Sequence, residues 1–392
     1  MPQPVLVINA GSSSIKFQLF ATGRELRRVQ KGQLDGIGVR PRLRIAAGAA
    51  DAVDRALAPE EGADLASAFA TVNAWLGKAL GGAPPLAIGH RVVHGGTEFA
   101  VPVQVDEAVL AKLEALIPLA PLHQPNNLSP IREARRRYPE TPQVACFDTA
   151  FHRGHPEISD RFALPDDLYT AGIRRYGFHG LSYAYVAERL KELTPDVAAG
   201  RVLILHLGSG ASICAVEDGR SMDSSMAFSA LDGVPMGTRP GQLDPGVILH
   251  LVRAGWTAEQ LERLLYRESG LKALSGLSSD MRELERSDQP RARFAIEYFV
   301  HRIAKEMGAL AAVLGGVDGI VFTGGIGENS ALVRELVCGR AAWLGVRLDE
   351  AANARGRAII SEADSSVPVY VVPTDEELMI ARQTFALIGS GP

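Results

Sequence analysis

Cysteine is scarce. Only Cys146, Cys214 and Cys338 occur in 392 residues, far apart and in apolar surroundings. Their spacing offers no disulfide framework and no zinc site, and they read as buried reduced thiols, which favours a cytoplasmic location. An excess of charge is also missing. Lys and Arg number 41 against 45 Asp and Glu, for a net charge of −4, so no nucleic-acid or membrane-surface partner is indicated. No long apolar run is present: residues 308–321 are interrupted by Gly315, Gly316 and Asp318 and cannot span a bilayer. The N-terminus has no cationic segment, and its apolar run stops at Asn9, so it reads as a strand and not as a signal peptide. There is no low-complexity tract, and no G-x-x-x-x-G-K-[ST] motif, which excludes a Walker A loop.

What is present is ordinary in bulk and specific in pattern. An apolar fraction of 46% and a charged fraction of 22% are those of a globular chain, and the length suits two domains. Residues 4–20 and 202–216 both read as apolar strand, Gly/Ser turn, strand. Their separation of roughly 200 residues suggests an internal duplication of two similar domains. Further strands are expected at 25–34, 42–46, 86–93, 144–147, 319–322 and 367–372. Helices are expected at 51–80 (with an interruption at Pro59), 105–117, 125–138, 181–193, 245–254, 258–266, 293–314, from about 330, and 376–388. Residues 151–177, rich in charge and proline, read as an irregular passage between the domains.

Three turns carry the first chemical signal. Asn9-Ala10-Gly11-Ser12-Ser13-Ser14-Ile15-Lys16 combines hydroxyls, open backbone N–H groups and a lysine, which fits a phosphoryl group. His206-Leu207-Gly208-Ser209-Gly210-Ala211-Ser212 lets a phosphate approach the backbone at its glycines. Gly324-Gly325-Ile326-Gly327-Glu328-Asn329 ends a buried strand. Ser330 stands where G-x-G-x-x-G needs its last glycine, so a dinucleotide fold is not supported. For each turn taken singly, a plain hairpin or connector explains the residues as well.

Charged side chains in unusual settings add to this. Arg91 lies inside an apolar strand and requires an anionic partner, either a protein carboxylate or a ligand. Arg239 sits among glycines in Met236-Gly237-Thr238-Arg239-Pro240-Gly241, where a planar fork suits a carboxylate or a trigonal phosphoryl group. Asp148 follows a buried strand directly, a position suited to catalysis or metal binding, or to capping the next turn. His123, His152 and His179 read alone as structural histidines. His90 and His94 lie on a strand without the glutamate of a zinc helix motif, so a metalloprotease is rejected.

Taken in order over nearly the whole chain, the segments 9–16, 89–96, 121–127, 147–152, 176–182, 206–212, 236–245, 278–282, 323–329 and 373–378 resemble the acetate kinase family, within the acetate and propionate kinase group. The resemblance implies an α/β protein of two RNase H-like domains, of the actin and sugar-kinase type, with an ATP cleft between them. The expected domains are 1–150, completed by a C-terminal helix at about 376–392, and a nucleotide-binding domain at 151–375. It implies ATP and ADP as cofactors with Mg2+, for which Mn2+ can substitute, acetate and acetyl phosphate as substrates in acetyl-CoA biosynthesis, and a homodimer. It further implies that Asp148, His179, Arg239 and Arg91 are catalytic. Arg91, Val93, Leu122, Phe178 and His123 would hold the substrate, and Asn9 and Glu376 the metal. Nucleotide contacts are expected from Ser12, Ser14 and Lys16, from His206, Leu207, Gly208, Ser209 and Gly210, from Asp280, Met281 and Arg282, and from Gly325, Ile326, Gly327, Glu328 and Asn329. Two positions depart from the family pattern. Ser209 replaces a usual asparagine, and Ala230 a usual proline of the acyl pocket, so the pocket is expected to be roomier and propionate a fair substrate. A sugar kinase would need a base for a neutral hydroxyl, and arginines at the acceptor site argue against it; an actin-like or chaperone ATPase would form no acyl phosphate.

Overall fold

The computed structural model describes residues 3–11, 13–48, 50 and 52–389. The chain forms two compact units, Met1–Ala150 with Asp375–Pro392, and Phe151–Thr374.

The first unit is built on an eight-stranded sheet of β1 (Val5–Ala10), β2 (Ser14–Ala21), β3 (Arg27–Asp35), β4 (Arg42–Ile45), β5 (Val53–Ala56), β6 (Ala87–Val92), β7 (Val103–Gln104) and β8 (Gln143–Phe147). Their order is β5-β4-β3-β2-β1-β6-β8-β7. The second unit carries β9 (Arg201–Leu207), β10 (Ala211–Glu217), β11 (Arg220–Ser224), β12 (Gly319–Thr323) and β13 (Val369–Val371), ordered β11-β10-β9-β12-β13. The stretch β3-β2-β1-β6-β8 has the same pattern as the second sheet. Three strands run antiparallel, the innermost of them pairs in parallel with the next strand, and that strand pairs in parallel with the last. This repeated RNase H-like order is the duplication expected from the two strand–turn–strand segments, and the α/β class holds. In both sheets the central parallel strands are fully buried, which explains why β1, β8 and β12 read as unbroken apolar runs.

Four local readings change. The periodicity at 51–80 belongs in part to a strand: β5 pairs with β4, Pro59 opens a short 3-10 turn, and the helix begins only at Leu65. Asp64 caps that helix by accepting from Ser67 N at 2.8 Å, so the chain has a reason to start there. Residues 151–177 contain the short helices Ala150–His152, Glu157–Asp160 and Asp166–Thr170. They are drawn together by Asp160, which accepts from Arg153 (3.0 Å), Tyr169 (2.9 Å) and Arg174 (3.1 Å) and pairs with His155 (2.7 Å). The helix expected from about residue 330 is present as Ala331–Arg340, but a short helix that was not expected, Gly324–Asn329, precedes it. Finally, the helix Pro290–Leu314 begins three residues earlier than expected, with Pro290 in its first turn, where a missing N–H costs nothing.

The closing helix, Glu376–Gly389, packs on the first sheet. A Cβ on Gly89 of β6 would lie 2.3 Å from Thr384 Oγ1 and 2.6 Å from Ile380 Cγ2 of that helix. Glycine is therefore required for close approach. Gly89→Ala is expected to lift the helix and cost about 1–3 kcal/mol, read as a lower urea midpoint at unchanged slope.

Candidate active site

The first unit gathers a charged cluster where parallel strands end. Asn9, Arg91 and Asp148 stand at or just beyond the carboxyl ends of β1, β6 and β8, three neighbours in the sheet. Parallel strands place their carboxyl ends together, and ligands of open α/β sheets bind there. Arg91 grips Asp148 through two nitrogens: Nη2 reaches Oδ2 at 2.6 Å, and Nε reaches Oδ1 at 3.1 Å. Nη1 points to Asn9 Oδ1 at 3.4 Å, and Glu376 Oε2 lies 3.8 Å from Nε. Asn9 Nδ2 donates to Glu377 Oε1 at 3.2 Å. The anionic partner that Arg91 demanded is thus a protein carboxylate, with a side chain only 2% exposed against 22% for the arginine.

Electrostatics here are lopsided. Burial works against the Arg91 charge, but Asp148, Glu376 and Glu377 outweigh it and hold the guanidinium above its ordinary value. Burial pushes the Asp148 carboxyl up, Arg91 pulls it back, and Glu376 adds to the push. Three carboxylates around one guanidinium leave surplus negative charge, which a divalent cation would offset. Among the described residues no group of three or more His, Cys, Asp or Glu side chains could hold a metal by itself. Mg2+ does not need such a cage, because it is bound through one or two carboxylates together with water and substrate phosphates. Glu376 fits that pattern, with Asn9 on the other side of Arg91.

Lys16 is exposed on β2, directly opposite Asn9 in the strand register, and Ser14 is half-buried at the start of β2. Gly11 N donates to Ser14 O at 2.9 Å, which closes the turn. Ser12 lies outside the described residues. Val93 is buried, and Leu122 and His123 are half-buried just before the helix Gln124–Arg137. Asn127 links these parts: its Oδ1 accepts from Val93 N (2.9 Å) and its Nδ2 donates to Ala10 O (2.8 Å). The sequence reading passed over Asn127. The available signal was an amide on the inward side of a helix, where burial demands partners.

The second unit holds the remaining candidates. His179 is half-buried and caps the helix Gly180–Leu193 in a left-handed conformation, φ 58°. Its Nδ1 is 2.8 Å from Ser212 Oγ, and its ring stacks on His206 at 4.2 Å. Arg239 is half-buried and donates from Nη1 to Ala230 O at 3.1 Å. A Cβ placed on Gly210 would lie 3.3 Å from His179 Nε2 and 3.8 Å from Arg239 Nη1, so both groups border that turn. Phe178 is buried, and its carbonyl oxygen lies 2.9 Å from His152 Nε2. Burial pushes His152 down to about 3 and the Cys214 thiol up to about 12, so the one is a neutral structural group and the other an unreactive thiol.

A cavity of about 800 Å³ lies in this unit. Gly208, Ser209, Asp280, Met281, Arg282, Gly325, Ile326 and Asn329 line it, all of them anticipated. Ser279, Glu285, Arg286 and Ser330 also line it and were not anticipated; Glu285 accepts from Ser330 Oγ and so ties two walls together. His206, Leu207, Gly210, Gly327 and Glu328 are not part of the lining. Leu207 is core, and Gly327 packs on Phe322 and Leu205. The Glu328 carboxylate accepts from Gly324 N (3.0 Å) and Thr374 N (3.1 Å), replacing the missing cap of a glycine-rich helix.

Similarity to known proteins extends over nearly the whole chain. A sequence model described as the acetokinase family matches residues 4–382. The acetate kinase of Nitrobacter hamburgensis is 54% identical over 390 residues, covering 98% of this chain and 96% of that one. Among solved structures, a propionate kinase from Francisella tularensis has a TM-score of 0.90 at 36% identity, covering 98% of this chain and 99% of that one. The acetate kinase of Porphyromonas gingivalis has a TM-score of 0.87 at 38% identity, covering 98% and 100%. Sequence and architecture agree from β1 to the closing helix, and the chain belongs to the acetokinase family.

Proposed function

We propose that the protein transfers the γ-phosphoryl group of ATP reversibly to acetate, giving acetyl phosphate and ADP. The observation that carries this reading, beside family membership, is Arg91. Asp148 occupies its Nε–Nη2 edge and fixes the fork, so the Nη1 side is turned away from that carboxylate and suits the carboxylate of an acceptor. Acetate is already ionised at pH 7, so no general base is needed. The obstacle is repulsion between two anions. Positioning and charge neutralisation are then the whole task, as in other phosphoryl transfers.

Residues of the chain divide that task. Arg91 holds the acceptor, and Asp148 orients Arg91. Val93, Leu122, Phe178 and His123 surround the acyl group. Arg239 neutralises the equatorial phosphoryl oxygens, and His179 donates one further hydrogen bond. The cavity lined by Gly208, Asp280–Arg282 and Gly325 takes the nucleotide, with Lys16 and Ser14 serving its phosphates. Bound Mg2+, held by Glu376 and Asn9, would neutralise phosphate charge. The test is formation of acyl hydroxamate from acetate, ATP, Mg2+ and hydroxylamine; its absence under these conditions would refute the assignment.

Propionate is the second reading. Ala230 is half-buried, and its carbonyl holds Arg239, so a smaller side chain there leaves room without disturbing the arginine. One methylene is worth about 1–3 kcal/mol in such a pocket. Specificity constants for acetate, propionate and butyrate decide between the two.

We further assign a homodimer and a cytoplasmic location. The three buried thiols support the location. Among the described residues no helix is long and apolar enough to cross a membrane. The helix Pro245–Arg253 supports the dimer: it buries none of its residues and leaves Val247, Leu249 and Val252 exposed. Replacing Leu249 and Val252 by Glu is expected to yield monomers in sedimentation velocity; an unchanged dimer would place the interface elsewhere.

A further inference from the structure

His179 is held by a chain of two hydroxyls. Ser212 Oγ lies 2.8 Å from His179 Nδ1, and Tyr183 OH lies 2.5 Å from Ser212 Oγ. Both hydroxyl residues are fully buried. Each hydroxyl has one proton to give, so the chain has a direction. Burial raises the Tyr183 phenol well above its ordinary value, so it keeps its proton at any working pH. Ser212 Oγ, 2.5 Å away, is the acceptor in reach of that proton. Ser212 then accepts from Tyr183, and its own O–H is left for His179 Nδ1. A ring nitrogen that accepts an O–H carries no proton, so the imidazole proton is on Nε2. Nε2 is the atom that borders Gly210 and the Arg239 guanidinium.

The surroundings fix the ring further: His206 stacks on His179 at 4.2 Å with the planes 23° apart, and the Arg239 guanidinium borders the same glycine, Gly210. His206 has a matching restraint, with its Nδ1 2.8 Å from the buried Ser182 Oγ.

We infer that Ser212 and Tyr183 are positioning residues that hold His179 as a neutral imidazole with its Nε2–H aimed at the transferring phosphoryl group. What the donor serves rests on the function proposed above; its tautomer does not. A donor whose proton is already placed needs no reorganisation when charge develops on the phosphoryl oxygens. Arg239 supplies the charge, and His179 supplies direction.

The test uses full-length protein labelled with 15N-histidine, with His179 identified by the resonances lost in His179→Gln. At pH 7, without substrates, Nδ1 is expected in the unprotonated range and Nε2 in the protonated range. Ser212→Ala should give His179 a mixture of tautomers and lower kcat about tenfold, the worth of one oriented hydrogen bond, with KM for ATP and acetate near the parent values. Tyr183→Phe should act in the same direction more weakly, and Ser212→Thr should restore both signal and kcat. A doubly protonated His179, a proton on Nδ1, or a Ser212→Ala enzyme with unchanged kcat would overturn the inference. Should Ser212→Ala not fold, the parent resonances and Ser212→Thr still decide. Failure of the parent protein to make acyl phosphate would refute the reaction, while the tautomer stands or falls on its own resonances.

Discussion

Arg91→Ala is expected to abolish measurable acyl hydroxamate formation, a loss on the order of 10³-fold or more, and to destabilise the fold at the same time. Both effects have one origin. Arg91 is the counter-charge of Asp148, whose side chain is 2% exposed. Without it a carboxylate is stranded among Glu376 and Glu377, at a cost of about 3–5 kcal/mol for breaking a buried pair. A loss of activity alone would therefore be ambiguous. The double variant Arg91→Met with Asp148→Asn separates the effects. Removing both charges leaves no stranded ion, so the urea midpoint is expected to recover most of its loss. Activity is not, because the acceptor has no fork to bind. Arg91→Lys should fall between, since an ammonium supplies charge without the planar geometry. A double variant that regained turnover would show that Arg91 serves the fold and not the acceptor.

That pairing also shows how far the sequence could be read. An arginine inside an apolar strand announces that a carboxylate or a ligand must meet it. Nothing local says that the carboxylate is Asp148, 57 positions away, because the choice depends on β6 and β8 being parallel neighbours. The strand–turn–strand segments were legible because fully buried strands leave unbroken apolar runs that stop at glycines and serines. The helix start at Gly324 was not legible. Two glycines in its first turn argue against helix locally, and what offsets them is the Glu328 carboxylate, which satisfies the Gly324 N–H from within the helix and is itself held by the distant Thr374 N–H. Within the helix expected over 51–80, residues 65–79 are helical and the first part is not, since β5 exists only because β4 is there to pair with it. Ser212, Tyr183 and Asn127 were overlooked as positioning groups. A hydroxyl or amide in an apolar stretch looks the same in sequence whether it fills space or orients a neighbour.

Arg239→Ala is expected to leave the fold intact and reduce turnover by about 10³–10⁵-fold, the range associated with an arginine that neutralises a transferring phosphoryl group. The contrast with Arg91 follows from the surroundings. Arg239 Nη1 is anchored by the Ala230 carbonyl at 3.1 Å and approaches Met236 Sδ at 3.7 Å. The side chain is half-buried and not enclosed, so the urea midpoint is expected to move less than in Arg91→Ala. The cavity proposed for the nucleotide is lined by Gly208, Asp280–Arg282 and Gly325, and Arg239 is not in that lining. ADP affinity, measured by calorimetry, should therefore stay near the parent value while kcat collapses. Arg239→Lys should not rescue, because one ammonium cannot replace two parallel N–H donors on a planar phosphoryl group. Added guanidinium should restore part of the activity to Arg239→Ala and none to Arg239→Lys, whose side chain still fills the space. If Arg239→Ala instead raised KM for ATP in proportion to any fall in kcat/KM, the arginine would be binding nucleotide equally in ground and transition states, and its place in the chemistry would pass to His179 alone.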